Sequence, residues 1–300
     1  MDNRAEVREF LITRRGRITP DEAGIQTYGT RRRVTGLRRE EVARLAGMSI
    51  DYYTRLERGN LTGVSEEVLT AIARALQLDD AERDHLFNLA KAAGPARRTR
   101  PTPQHSDAVR PELRYLLDAI TDAPALIANN YMDILAANTL GYAMHSPLYA
   151  GPERPANHSR FMFLDPRAHD FYPDWQLATE MNVAVLRRIA GANPHDQRLA
   201  KLVGELSMRS DRFRDLWASH NVRNHYTGTK SFRHPVVGLL DVNYVALALD
   251  GDPGLTLTTY TATPGSPTAD ALKLLATWAA TENITQRVLD PHATAPGAGR

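Results

Sequence analysis

The chain has no cysteine. Disulfide frames, thiol nucleophiles and cysteine-ligated metals are therefore excluded. No apolar run approaches the roughly 18 residues that a membrane span needs, and the start MDNRAEVREF lacks the layout of a secretory leader. There is no HExxH, no aspartate–histidine cluster and no glycine-rich phosphate loop. These absences give the expectation of a cytoplasmic protein that is not an enzyme, holds no metal or cofactor and makes no membrane contact.

What is present is a globular composition: 300 residues, 42% hydrophobic and 24% charged, with a mean hydropathy of −0.41. The length predicts about two domains. The formal net charge of +2 is unevenly spread. Residues 1–100 hold 19 Lys and Arg against 15 Asp and Glu, or +4, and the remainder holds 18 against 20, or −2. The sharpest local excess is RRRVTGLRREEVAR (31–44), with six arginines and two glutamates.

That segment runs into LRREEVARLAGMSIDYYTRLERG (37–59). Val42, Ala43, Leu45 and Ala46 recur at helical spacing, and Gly47 suits the left-handed residue that ends a helix. Ser49 is placed to cap a second helix, with Asp51 in its first turn where the dipole favours an anion. Tyr53 and Leu56 can turn inward, and Gly59 closes the helix. A short helix, a tight turn and a second helix with a polar, aromatic outer face is helix–turn–helix geometry, able to enter a major groove. Flanking helical patterns at 7–18, 65–78 and 80–94 complete an all-α five-helix domain over 1–94, with Ser65 as a further cap.

Through Arg39, Glu40, Val42, Ala43, Gly47, Ser49 and Leu56 to Gly59, the segment resembles the Cro/CI-type, or xenobiotic-response-element, helix–turn–helix family. Members often carry glutamine where Arg39 stands; arginine retains a phosphate-contacting role. The resemblance implies that Ile50, Asp51, Tyr52 and Arg55 face the bases. Arg55 ranks first, since it can reach a guanine bidentately; Asp51 can accept from cytosine, and Ile50 or Tyr52 can touch a thymine methyl. Arg31, Arg32, Arg33, Arg38 and Arg39 are the phosphate candidates. Glu57 is expected to pair with an arginine of the first helix, Arg14 or Arg15.

KAAGPARRTRPTPQHSD (91–107) reads as a linker, with the boundary drawn at 95–107. Beyond it, 124–138 reads as two short strands around a turn, 173–191, 196–208 and 211–220 as helices, 235–249 as a strand buried on both faces, 255–263 as an alternating strand and 266–280 as a helix. This order predicts an α+β second domain over 108–285, an antiparallel sheet with helices, and a disordered tail at 286–300. Asp252-Pro253-Gly254 reads as a turn. His220 and His225, five apart, do not share a helix face, and His234 precedes a proline in a loop or strand start.

The blocks 36–59, DILAAN (133–138), NHSRFMFLDP (157–166), DRFRDLWASHNV (211–222) and HPVVG (234–238) resemble the MmyB-like transcriptional regulators. The resemblance implies a PAS-like ligand-binding domain and fatty-acid-like ligands. Phe161, Phe163, Trp175, Phe213, Trp217 and Tyr244 are candidates to line an apolar cavity, with Arg160 to grip a carboxylate. The expected function is a one-component, sequence-specific DNA-binding regulator, homodimeric on double-stranded promoter DNA, nucleoid-associated and modulated by a hydrophobic small molecule. The alternative is a regulator whose second domain binds another protein.

Overall fold

The computed structural model describes residues 3–25, 32, 34–94, 108–219 and 227–289. The expected linker at 95–107, Arg31, Arg33, His220, His225 and the tail from 290 lie outside the described residues. In chain order the helices and strands are α1 (Asn3–Arg17), α2 (Arg39–Leu45), α3 (Ile50–Glu57), α4 (Glu66–Ala75), α5 (Asp80–Ala93), α6 (Pro111–Ala119), β1 (Ala125–Asn129), β2 (Ile134–Ala137), α7 (Thr139–Met144), α8 (His158–Leu164), α9 (Arg167–Phe171), α10 (Trp175–Ala192), α11 (Gln197–Arg209), α12 (Asp211–Ala218), β3 (Thr227–His234), β4 (Gly238–Ala248), β5 (Leu255–Thr261), α13 (Pro267–Thr281) and α14 (Ile284–Leu289). Two compact units divide them: residues 1–101 with 183–224, and 102–182 with 225–300.

In the first unit, α1 to α5 close on Phe10, Leu11, Val42, Tyr53, Leu56, Ile72, Leu86 and Leu89, all fully buried. Burying side chains of this size contributes about 1.5–3 kcal/mol each. The α2–α3 turn is made at Gly47, whose φ of 66° is open to glycine at little cost, and the Ser49 hydroxyl accepts the Tyr52 N–H at 3.1 Å. Asp79 and Glu82 form a reciprocal cap at the start of α5.

Residues 183–224 depart from the sequence expectation, which assigns them to one continuous second domain. They belong to the first unit. Arg187 of α10, fully buried, pairs with Glu6 of α1 and donates to the Trp217 carbonyl. Its guanidinium lies 4.2 Å from the centre of the Trp217 ring. Gly191 abuts His85 of α5 so closely that a Cβ there would stand 2.4 Å from Cε1 of the imidazole ring. Apolar periodicity reports which face of α10 is buried, not which partner covers it.

The second unit is built on a five-stranded antiparallel sheet of order β2-β1-β5-β4-β3. Two expectations are corrected here. First, β3 is a full strand, where the sequence reading placed at most a strand start at His234. Second, β4 is not buried on both faces: Leu240, Val242 and Tyr244 are buried while Leu239, Val245 and Leu247 are exposed. Helix α14 also runs through Leu289, into the span expected to be a disordered tail.

Side-chain amides fix the loops of this unit. Asn138 Oδ1 accepts from the backbone N–H of Ala125 and Gly141, while Nδ2 donates to the carbonyls of Ile120 and Ala123, so one residue ties β1 to α7. Asp133 accepts from Asn129 Nδ2 at 3.0 Å and from Asn157 Nδ2 at 2.7 Å, joining the β1–β2 turn to the start of α8. The Asp252-Pro253-Gly254 turn is held by Arg110, whose Nη2 donates to Asp252 at 2.6 Å.

Candidate DNA-reading helix and ligand-binding interior

Helix α3 has two faces of opposite character. Tyr53, Leu56 and Glu57 are buried, whereas Ile50, Asp51 and Arg55 are exposed. Tyr52 lies half-buried between the faces, with the Arg55 guanidinium 4.9 Å from its ring centre. Three of the four residues assigned to the bases are thus exposed, and Tyr52 packs partly against the core of the helix bundle.

The anchor is Glu57, 2% exposed. It accepts from Arg15 Nε at 2.6 Å, from Arg39 Nε and from the Tyr53 hydroxyl at 3.4 Å. Of the two arginines expected to pair with Glu57, Arg15 does so; Arg14 instead pairs with Glu82 at 2.7 Å. One carboxylate therefore holds α1, α2 and α3 together, which fixes the angle at which α3 is presented.

The phosphate candidates separate. Arg32 is taken up internally: its guanidinium makes two bonds to Glu41, at 2.7 and 2.9 Å, and one to the Gly36 carbonyl at 2.9 Å. The same bonds hold the Glu41 carboxyl down at about 2. Arg32, expected from the sequence to contact phosphate, is thus engaged by the protein itself, and nothing in the arginine run marks it out. Arg39 directs Nε to Glu57 and stays half exposed. Arg38 is half-buried just before α2, its side chain 39% exposed beside Glu40 at 3.3 Å. Deleting an arginine that neutralises one phosphate is expected to reduce the salt dependence of DNA binding by about one in log–log slope. Arg38→Ala should show that reduction and Arg32→Ala none, measured by titrating DNA binding against salt.

The candidates for an apolar cavity also separate. Phe161 packs on Phe171 and Tyr172, which pack on Phe232 of β3. Tyr244 pairs with Tyr260 across β4 and β5 on that same face of the sheet. Trp175 is half-buried, stacks on His169 at 4.1 Å and donates its indole N–H to the Met162 carbonyl. Phe163 is buried and Arg160 half-buried on α8. Phe213 and Trp217 stack on each other in the first unit, beside Arg187.

The sequence reading missed the polar residues of this interior. On β3, Lys230, Phe232 and His234 alternate onto the helix-covered face. His145, fully buried after α7, packs against His158, Phe232 and Tyr260. Its Nδ1 donates to the Gly141 carbonyl at 3.0 Å, which leaves Nε2 as an unpaired acceptor. His234 is satisfied: Nε2 donates to the Ala143 carbonyl at 3.0 Å and Nδ1 accepts from the Val236 N–H.

Burial pushes His145 down to about 4, with Lys230 and His234 adding to the shift and the Gly141 bond opposing it. His158, His234 and His85 are lowered by burial too. A histidine whose folded value lies below its free value near 6.5 contributes stability that is complete above pH 6.5 and lost as the pH falls towards the folded value. The unfolding temperature is therefore expected to fall between pH 6.5 and 5, above the range where ordinary carboxylates titrate. His145→Asn, which keeps a donor for Gly141, should flatten that slope.

Among the described residues no helix is long and apolar enough to cross a membrane. Comparison with curated proteins finds no match. Two family profiles do match: a helix-turn-helix domain over residues 29–86, which contains α2 and α3, and the MmyB-like transcription regulator ligand binding domain over residues 109–275. The second covers more than half of the 300 residues and spans the whole sheet. The chain is a DNA-binding transcription regulator and belongs to the MmyB-like family, carrying its ligand-binding domain behind an N-terminal helix-turn-helix.

Proposed function

We propose that the protein is a one-component regulator of the Cro/CI type. Its α3 reads a specific operator through Arg55, Asp51, Ile50 and Tyr52, and a hydrophobic, fatty-acid-like small molecule in the second unit modulates that binding. The observation that carries this reading is the two-faced α3, exposed at Ile50, Asp51 and Arg55 and locked from behind through Glu57. The strand order β2-β1-β5-β4-β3 supports a PAS-like ligand domain. One recognition helix covers few base pairs, so the protein acts as a homodimer on two half-sites. It works in the cytoplasm on the nucleoid and catalyses no reaction. Effector binding shifts DNA affinity only through its differential affinity for two states of the protein.

Organic extraction of the natively purified protein followed by mass spectrometry tests the effector. A lipid that copurifies and changes DNA affinity when added back is expected; an empty extract together with DNA binding indifferent to added lipids would contradict it. The alternative, a protein-binding second domain, is favoured by one feature. Leu239, Val245 and Leu247 of β4 are 53%, 39% and 49% exposed on the outer face of the sheet.

A further inference from the structure

Lys230 lies on the helix-covered face of the sheet, paired across from Val242. Its ammonium stands 4.4 Å from the centre of the Tyr244 ring and 5.8 Å from that of Tyr260. Among the described residues it makes no ion pair and no hydrogen bond. Cation–π contact offsets only part of what an ammonium loses when it is drawn out of water. Accordingly burial pushes the Lys230 ammonium down to about 8, with no carboxylate opposing it.

The surroundings are unfinished in the same sense. Nε2 of His145 is sealed from solvent and has no hydrogen-bond partner. Beside it His158 is ringed by protein, keeps some accessible surface and makes no side-chain hydrogen bond to a described residue. The hydroxyls of Tyr172 and Tyr260 likewise bond no described residue. Native interiors satisfy nearly all such groups, so one cation and several idle polar atoms on an aromatic wall indicate a site completed by another molecule. Arg160, the residue the sequence offered for a carboxylate, already has a partner of its own.

We propose that Lys230 is the anchor for the carboxylate headgroup of an apolar ligand held between the sheet and the helices that cover it. A single ammonium balances a single negative charge, and the aromatic lining takes the apolar body. The assignment rests on the ligand-sensing reading above.

Calorimetric titration of the full-length chain with dodecanoate and with methyl dodecanoate tests it, alongside the variants Lys230→Met and Lys230→Arg. The native chain should bind the acid at least tenfold more tightly than the ester; Lys230→Met should lose that preference and Lys230→Arg keep most of it. In the absence of ligand Lys230→Met should unfold at a higher temperature than the native chain, because it removes a half-buried charge without a carboxylate partner. An unchanged preference in Lys230→Met overturns the proposal, and so does a lowered unfolding temperature, which would make the lysine structural. Equal binding of acid and ester by the native chain overturns the anchor and leaves ligand sensing intact. Binding of neither overturns the anchor and counts against a fatty-acid-like effector as well.

Discussion

Glu57→Ala is expected to destabilise the first unit by about 3–5 kcal/mol, the range for breaking a buried ion pair by removing one partner. The carboxylate is almost wholly buried, and Arg15, its partner at 2.6 Å, is only 15% exposed. Removal leaves that guanidinium inside the domain, donating to the Leu37 carbonyl at 2.8 Å but with its charge uncompensated by Glu57. Arg39 adds less, because half of its side chain faces solvent, where water screens the pair. Glu57→Gln preserves the shape and an acceptor and should cost less than alanine. Denaturant unfolding reads both, and a destabilisation below about 1 kcal/mol for the alanine variant, the size of a surface pair, would contradict the account. DNA affinity should fall more steeply than stability explains, since α1, α2 and α3 no longer share a common fastening.

The second large effect is expected at Arg187. Its side chain is fully buried, its pairing with Glu6 opposes the downward pull of burial on the guanidinium, and it also donates to the Trp217 carbonyl and lies over the Trp217 ring. Arg187→Ala takes from Glu6, which is 14% exposed, its arginine partner and empties the space over Trp217. A destabilisation of about 3–5 kcal/mol follows from breaking the pair, with packing added. The effect should be local. Amide exchange should speed up in α11 and α12 while α3 and α4 stay protected, because the segment 183–224 is fastened to the bundle through Arg187 and the close approach of Gly191 to His85. Uniform acceleration across the first unit, or none, would contradict that picture. Residues 183–224 lie inside the family's ligand-binding span yet group with the DNA-binding bundle.

The helix–turn–helix was legible because its signals are local: Gly47 for the turn, Ser49 for the cap, and an apolar stripe at Val42, Tyr53 and Leu56. Arg55 was likewise legible as an outward-facing residue at helical spacing. Lys230 was not. A lysine alternating with Ser and Thr in TGTKSFRH has the composition of a solvated edge, and only the pairing of β3 with β4 shows which side is inside. The pairing of Arg32 with Glu41 was not legible for a related reason: nothing within RRRVTG marks an arginine that folds back onto α2. The partners that tie 183–224 to the first unit are distant in sequence: Glu6 lies 181 residues from Arg187 and His85 lies 106 from Gly191. Patterns within a segment state its exposure, and long-range partners state its place.

The central claim is that α3 reads a DNA sequence through Arg55. The direct test is selection of bound duplexes from a random DNA pool by the full-length protein, repeated with Arg55→Ala. Native protein should enrich a site with related half-sites, and Arg55→Ala should lose preference at one position per half-site, with affinity for the native site reduced about 10- to 100-fold, the value of one bidentate pairing with a base. Binding to unrelated DNA should change little. No enrichment by the native chain, or the same site enriched with unchanged affinity by Arg55→Ala, would contradict the account.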